Sequence, residues 1–135
     1  MVAPVELAAR VRAIIAAAGA MDIESIEPWL ARDVVMELPY APEPLRRVHT
    51  GKDAVVDFQR RARESFSSFS MELDTLLVDG ARVVVEHHSE GTASTTGRVY
   101  RNRYVTVFEF DSNGLVCLWR EYYDPDAVRR AFFAD

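Results

Sequence analysis

A single cysteine, Cys117, in 135 residues rules out an internal disulfide framework and suits a reducing compartment such as the cytoplasm. Long apolar runs are also missing, so no stretch can span a membrane. The nearest approach to an export signal is Arg10 and Arg12 leading into "AIIAAAGA". There, however, Leu7, Val11, Ile14, Ile15 and Ala18 fall at helical spacing with Glu6, Arg10 and Arg12 off the stripe, which fits an amphipathic helix better. Basic charge is scarce: 16 Lys and Arg stand against 21 Asp and Glu, and the arginines are scattered or alternate with acids. No surface is thereby offered to a nucleic-acid backbone. The chain also lacks a G-x-S-x-G elbow, a phosphate loop and a dinucleotide fingerprint, and no cofactor is expected.

What is present is a composition about half hydrophobic (49%) and a quarter charged (27%), enough for one domain over residues 1–135 to bury a sizeable core. The first half reads as helical. A first helix runs from about Pro4 to Gly19, and Asp22 caps a short second one that Pro28 kinks or restarts at Glu27. "DVVMELPY", Asp33 to Tyr40, reads as a strand, and the proline-bearing "APEPLRRVH" as a loop. Thr50 and Asp53 begin a third helix with Val55, Phe58, Ala62 and Phe66 on one face.

In the second half the hydrophobic period changes to two. "SMELDTLLV", "ARVVVEHHSEGTAS", "RVYRNRYVTVFEF" and "LVCLWREYY" are four strand candidates joined by turn signals at Asp79-Gly80, Thr95-Thr96-Gly97 and Ser112-Asn113-Gly114. Such short links predict an antiparallel meander, closed by a helix with Asp124 as cap and Pro125 at its first position. Helices first and a long sheet second is an α+β architecture with helices over one sheet face.

Strand alternation assigns the faces. Tyr100, Asn102, Tyr104, Thr106, Phe108 and Phe110 carry the aromatic mass and only neutral polar groups, as a covered face should. Glu86, His88 and Glu90 share a solvated parity, leaving His87 to look inward beside Val83, Val85 and Ser89. Because neighbours on a strand point apart, His87 and His88 cannot easily chelate one ion, and no metal is expected. Cys117, in an apolar strand, reads as a buried hydrophobe. On the last strand hydropathy alone does not choose between Cys117, Trp119, Glu121, Tyr123 and Val116, Leu118, Arg120, Tyr122.

The segment "YRNRYVTVFEFDSNGLVCLWREYYDP" resembles the closing hairpin of SnoaL-like proteins, in the superfamily that includes nuclear transport factor 2, ketosteroid isomerase and polyketide cyclases; Asn102, Tyr104, Arg120-Glu121-Tyr122 and Asp124-Pro125 carry the resemblance. It implies a cone-shaped, curved, mostly antiparallel sheet wrapped around N-terminal helices, with a pocket inside and Glu121 pointing into it. Two departures limit what is carried over. Met36, Leu38 and Val11 stand where ketosteroid isomerases hold their base and tyrosine, and His87, His88 and Ser89 stand where epoxide hydrolases of this fold hold an Arg-x-Asp pair.

With Glu121 among aromatic rings, desolvation disfavours its charged form and moves its pKa toward the range useful for proton transfer. His87 is a second acid/base candidate, and Asn102 and Tyr104 are candidate donors to an oxygen gaining negative charge. Met36, Leu38, Tyr40, Trp29, Phe58, Phe108, Trp119 and Tyr123 are candidate walls, with His49 at the pocket mouth. The resemblance thus implies a cofactor-independent isomerase-, cyclase- or related acid/base enzyme acting on a hydrophobic carbonyl-bearing metabolite. Its rival is a non-catalytic ligand-binding or protein-assembly module on the same fold. The outer face, with Val105, Val107, Val116, Leu118 and Tyr122 among Arg101, Arg103 and Arg120, predicts a homodimer packed sheet to sheet.

Overall fold

Helix α1, Pro4–Gly19, buries Leu7, Val11, Ile14 and Ile15, the stripe expected from spacing. The computed structural model describes residues 2–133. Asp22 then caps as expected, its carboxylate accepting the Ser25 N–H at 3.3 Å. With Pro28 so near, the segment completes only two 3₁₀ turns, Ile23–Ser25 and Glu27–Trp29. Strand β1, Leu30–Glu37, starts and stops three residues earlier than the sequence pattern indicated. The following segment is a loop except for its end, Val48–Thr50, which pairs with β1 as a short edge strand, β2.

That pairing displaces the expected start of the next helix. Thr50 lies opposite Val35 in the ladder rather than capping, and Gly51, at φ 93, turns the corner into α2, Lys52–Glu64. Phe66, which fits the helical period, belongs instead to β3, Phe66–Asp79. β3, β4 (Arg82–Ala93), β5 (Val99–Phe110) and β6 (Val116–Tyr123) form the meander, and α3, Pro125–Phe132, follows with the Asp124 carboxylate accepting the Asp126 N–H at 2.9 Å. The sheet order is β2-β1-β6-β5-β4-β3, antiparallel throughout except where β1 runs parallel to β6. The fold is therefore α+β, with a curved, mostly antiparallel six-stranded sheet. Among the described residues no helix is long and apolar enough to cross a membrane.

The inner face of this sheet meets α1 and α2, and Ile14, Val55, Val83, Val85, Phe108 and Trp119 form part of its packed core. Each fully buried side chain of this kind contributes about 1.5–3 kcal/mol. All six residues of the Tyr100 to Phe110 set are buried. On β6 strict alternation fails. The register slips between Glu109 and Phe110, so that Phe110 pairs with Val116 while Glu109 pairs with Leu118, and Cys117 is the extra residue of the bulge. Val116 is consequently buried in the core, not on the outer face, while Trp119 keeps the inward parity.

A smaller apolar cluster joins Tyr100 to Ala127, Val128 and Ala131 of α3, with Phe66, Phe69 and Phe132 packed against it. Gly91, opposite Tyr100, makes this possible, because a Cβ there would lie 2.5 Å from the Ser68 carbonyl and 3.2 Å from the Phe66 and Phe69 rings.

Candidate active site

Between the inner sheet face, α2 and α3 lies a cavity of about 730 Å³ that opens to solvent. β1 supplies Met36, the chain just beyond it Leu38, α2 Phe58, and β6 Trp119, Glu121 and Tyr123; His49 on β2 and Tyr100 and Tyr104 on β5 complete the wall nearest them. Seven of the expected wall and site residues therefore converge with Glu121 on one space.

Five do not. Phe108 is sealed in the core against Trp119, ring centroids 5.1 Å apart. Trp29 lies under the Arg10 guanidinium, 5.0 Å from the ring centre, away from the cavity. Tyr40 is 54% exposed and packs edge-on against Tyr122 of the outer parity. His87 and Asn102 face inward as expected, but both stand behind the cavity wall. For Phe108, His87 and Asn102 the reason is shared: parity gives the face, not the position along it. Trp29 and Tyr40 lie in turns outside the strands, where parity does not apply.

Glu121 is half-buried at the cavity wall, and desolvation by the surrounding protein pushes its carboxyl up to about 7. The Trp119 indole N–H and the Thr106 hydroxyl beside it act in the opposite direction. The indole N–H completes no hydrogen bond of good geometry, so it acts as a nearby dipole, whereas the Thr106 hydroxyl donates to Oε1 at 3.3 Å. No cation pairs with Glu121 among the described residues. Thr106 Oγ1 also lies 2.8 Å from His87 Nε2, and the His87 ring, 1% exposed, stacks on Tyr104 at 4.7 Å and 12°. Burial lowers His87 to about 4, so the ring is neutral at physiological pH.

A second chain of polar groups runs along β5. Ser89 Oγ meets the Tyr104 hydroxyl at 2.6 Å, and Tyr104 meets the Tyr100 hydroxyl at 2.9 Å. Asn102 Nδ2 donates to the Tyr100 hydroxyl at 2.9 Å and to the Asp124 carbonyl at 3.0 Å, while its Oδ1 accepts the Asp124 and Arg103 N–H groups. Asn102 thus has no spare donor and ties β5 to the start of α3. Burial pushes Tyr100 up to about 12 and Tyr104 well above its usual value, and the Glu121 charge adds to both shifts. These hydroxyls remain protonated donors at neutral pH.

Tyr100 and Thr106 were not singled out by composition or motif, although both share the parity of Tyr104; Arg46, Arg61 and Arg63, also in the cavity lining, come from segments whose approach no spacing rule reveals.

A profile of the SnoaL-like domain matches residues 11–119. The chain belongs to the SnoaL-like family. It is 30% identical over 113 residues to the uncharacterized protein YesE of Bacillus subtilis (strain 168), spanning 82% of this chain and 76% of YesE. A crystal structure of a candidate isomerase from Bacillus subtilis superposes with a TM-score of 0.84 at 27% identity, over 97% of this chain and 96% of that one. An LEH-like epoxide hydrolase from M. tuberculosis shares the fold, with a TM-score of 0.73 at 22% identity over 95% and 92% of the two chains.

Proposed function

We propose that this SnoaL-like protein is a cofactor-independent acid/base enzyme for a hydrophobic, carbonyl-bearing metabolite, with Glu121 as the proton carrier. The observation that carries this reading is a carboxyl without a counter-ion in the wall of an open, largely aromatic cavity, titrating at about 7. A structural acid would be paired; this one is held where both protonation states are populated at neutral pH.

In this reading the Glu121 carboxylate removes a proton from the carbon next to the substrate carbonyl. The C–H electrons form a C=C bond and the carbonyl π electrons move to oxygen. Tyr100 is the donor to that oxygen: it accepts from Asn102, and when the chain runs from Ser89 through Tyr104 it accepts from Tyr104 as well, leaving its own O–H for the ligand. Tyr104 and Asn102 then act through Tyr100, and His87 acts through Thr106 by fixing the hydroxyl that meets Glu121. Returning the proton to a different carbon gives isomerisation. Attack of the enolate carbon on a second carbonyl of the same molecule, with the proton going to the new alkoxide, gives cyclisation.

Deuterium exchange at the α-carbon of an aryl ketone, followed by NMR, tests this. Glu121→Gln should slow the enzyme-dependent exchange by about a hundredfold or more. Unchanged exchange would reject Glu121 as the base, and ligand binding without any catalysed exchange would leave a carrier or assembly module in its place.

The outer face supports a two-fold homodimer. Val105 is 39% exposed there opposite Tyr122, Leu118 lies further along the same face, and Arg120 between them and Arg101 beyond Val105 are held by Glu37 and Glu90 at 2.7 and 3.2 Å. Sedimentation should find a dimer at micromolar concentration and a monomer for Leu118→Arg; a dimer indifferent to that change would place the interface elsewhere.

A further inference from the structure

The cavity lining has two margins of opposite chemistry. Around Glu121 it is aromatic and hydroxylic, whereas at the solvent side Arg46, Arg61 and Arg63 contribute to the wall of a chain whose overall charge is −5. Arg61 already meets Asp57 at 3.0 Å, one helical turn away, and Arg63 lies 3.8 Å from Glu24. Arg46 is exposed and has no side-chain hydrogen bond or ion pair among the described residues.

Beside these cations sits His49, 5% exposed and packed on Phe58 with ring centroids 4.3 Å apart. Its Nε2 is buried without a hydrogen-bond partner. Both Arg46 and Arg61 act on this ring: they join burial in lowering its proton affinity, against the Arg46 backbone carbonyl and the Asp57 carboxylate. A buried ring nitrogen without a partner, in the field of two guanidiniums and bordering a cavity, marks a place prepared for a negatively charged group.

We propose that the ligand is an amphipathic carboxylate, its apolar carbonyl-bearing body in the aromatic part of the cavity and its carboxylate at a subsite formed by Arg46, Arg61 and His49. This rests on the reading of the cavity as a ligand site and adds the ligand's charge and orientation. Arg46 can take both carboxylate oxygens with its planar fork, and Arg61 adds charge from α2. The bound anion favours protonation of the His49 ring, against the burial and the guanidiniums that oppose it, so that Nε2–H donates to the carboxylate. With its carboxylate held at the mouth, the ligand enters body first and its carbonyl is carried toward Tyr100 and Glu121.

The test uses a matched pair of probes, an acetylnaphthalene and its ring-carboxylated analogue, titrated calorimetrically into the wild type and into Arg46→Gln/Arg61→Gln at low salt. The wild type should bind the carboxylate about tenfold or more tighter than the neutral ketone, as expected for one charge-assisted contact. The double variant should bind both alike. Equal affinities in the wild type, or a preference that survives in the double variant, overturn the subsite while leaving the cavity reading intact. Failure of both probes to bind removes both.

Discussion

Two halves of the same strand pair invite comparison. Along β4 and β5 the inward side chains are buried from end to end, yet one half is Val83, Val85, Phe108 and Phe110, and the other is His87, Ser89, Asn102, Tyr104 and Tyr100. Burial is equal and chemistry is not. The first half is held by packing against α1 and contributes stability through area removed from water. The second is held by a hydrogen-bonded series in which almost every polar atom is satisfied inside the protein, so its geometry is fixed before any ligand arrives. Thr106 is the boundary between them, facing Val85 across the ladder on one side and Glu121 on the other. Rigid packing at one end and directed hydroxyls at the other is how one continuous sheet serves as both core and site wall.

Variants of single residues should separate the halves. Phe108→Ala, in the packed half, should cost about 3–5 kcal/mol in denaturant unfolding. Glu121→Gln should do the reverse above neutral pH. The native carboxyl titrates near 7 against 4.5 unfolded, so the native state retains a proton the unfolded chain has released, and that contribution is full below 4.5 and lost as the pH rises through 7. The variant should therefore exceed the wild type by up to about 3 kcal/mol at pH 8 and show no such gain at pH 4. Thr106→Val, similar in volume but without the hydroxyl, should lose about 1–2 kcal/mol because His87 Nε2 and the Glu121 carboxyl each lose a partner. It should also raise the Glu121 pKa further, as read from the carboxyl carbon by NMR. Tyr100→Phe should change stability least, by about 1 kcal/mol or less, since Asn102 keeps its Asp124 contacts and Tyr104 keeps Ser89. Its catalysed α-proton exchange should nevertheless fall about tenfold or more. Stability and turnover losses that instead tracked each other across all four variants would erase the distinction.

Alternation along β5 made the covered face legible, because period two is a direct geometric consequence of the strand and six residues agree with it. On β6 the same rule failed at Val116, since a bulge adds one residue and reverses parity locally without a compositional mark. Phe66 failed for a related reason: a helical period continued by chance across the boundary into β3. Of the site, Tyr104 could be placed on a face by alternation and Glu121 only through the family resemblance, but whether a residue borders the cavity or stands behind it depends on where α2 and α3 lie. Hence Asn102 and His87, correct in direction, stop short of the cavity, while Tyr100 reaches it. The basic margin was invisible because Arg46 and Arg61 come from a loop and a helix that meet only after folding.

One hydroxyl, that of Thr106, touches two groups that folding titrates in opposite senses. Between pH 4.5 and 6.5 the Glu121 carboxyl takes up a proton as the chain folds, its native value being about 7, while the His87 ring gives one up, its native value being about 4. The first contribution falls with rising pH and the second rises, each by about 3 kcal/mol over its full span. Their sum leaves the proton count of folding nearly unchanged across this window. The two contributions then offset each other in the wild type, whereas losing either one uncovers the other: the slope becomes more rising for Glu121→Gln and more falling for His87→Gln. A residue that itself never titrates thus touches both members of a pair whose proton equilibria are displaced in opposite directions, so that between pH 4.5 and 6.5 the pH dependence which Glu121 brings to folding is offset by its neighbour His87.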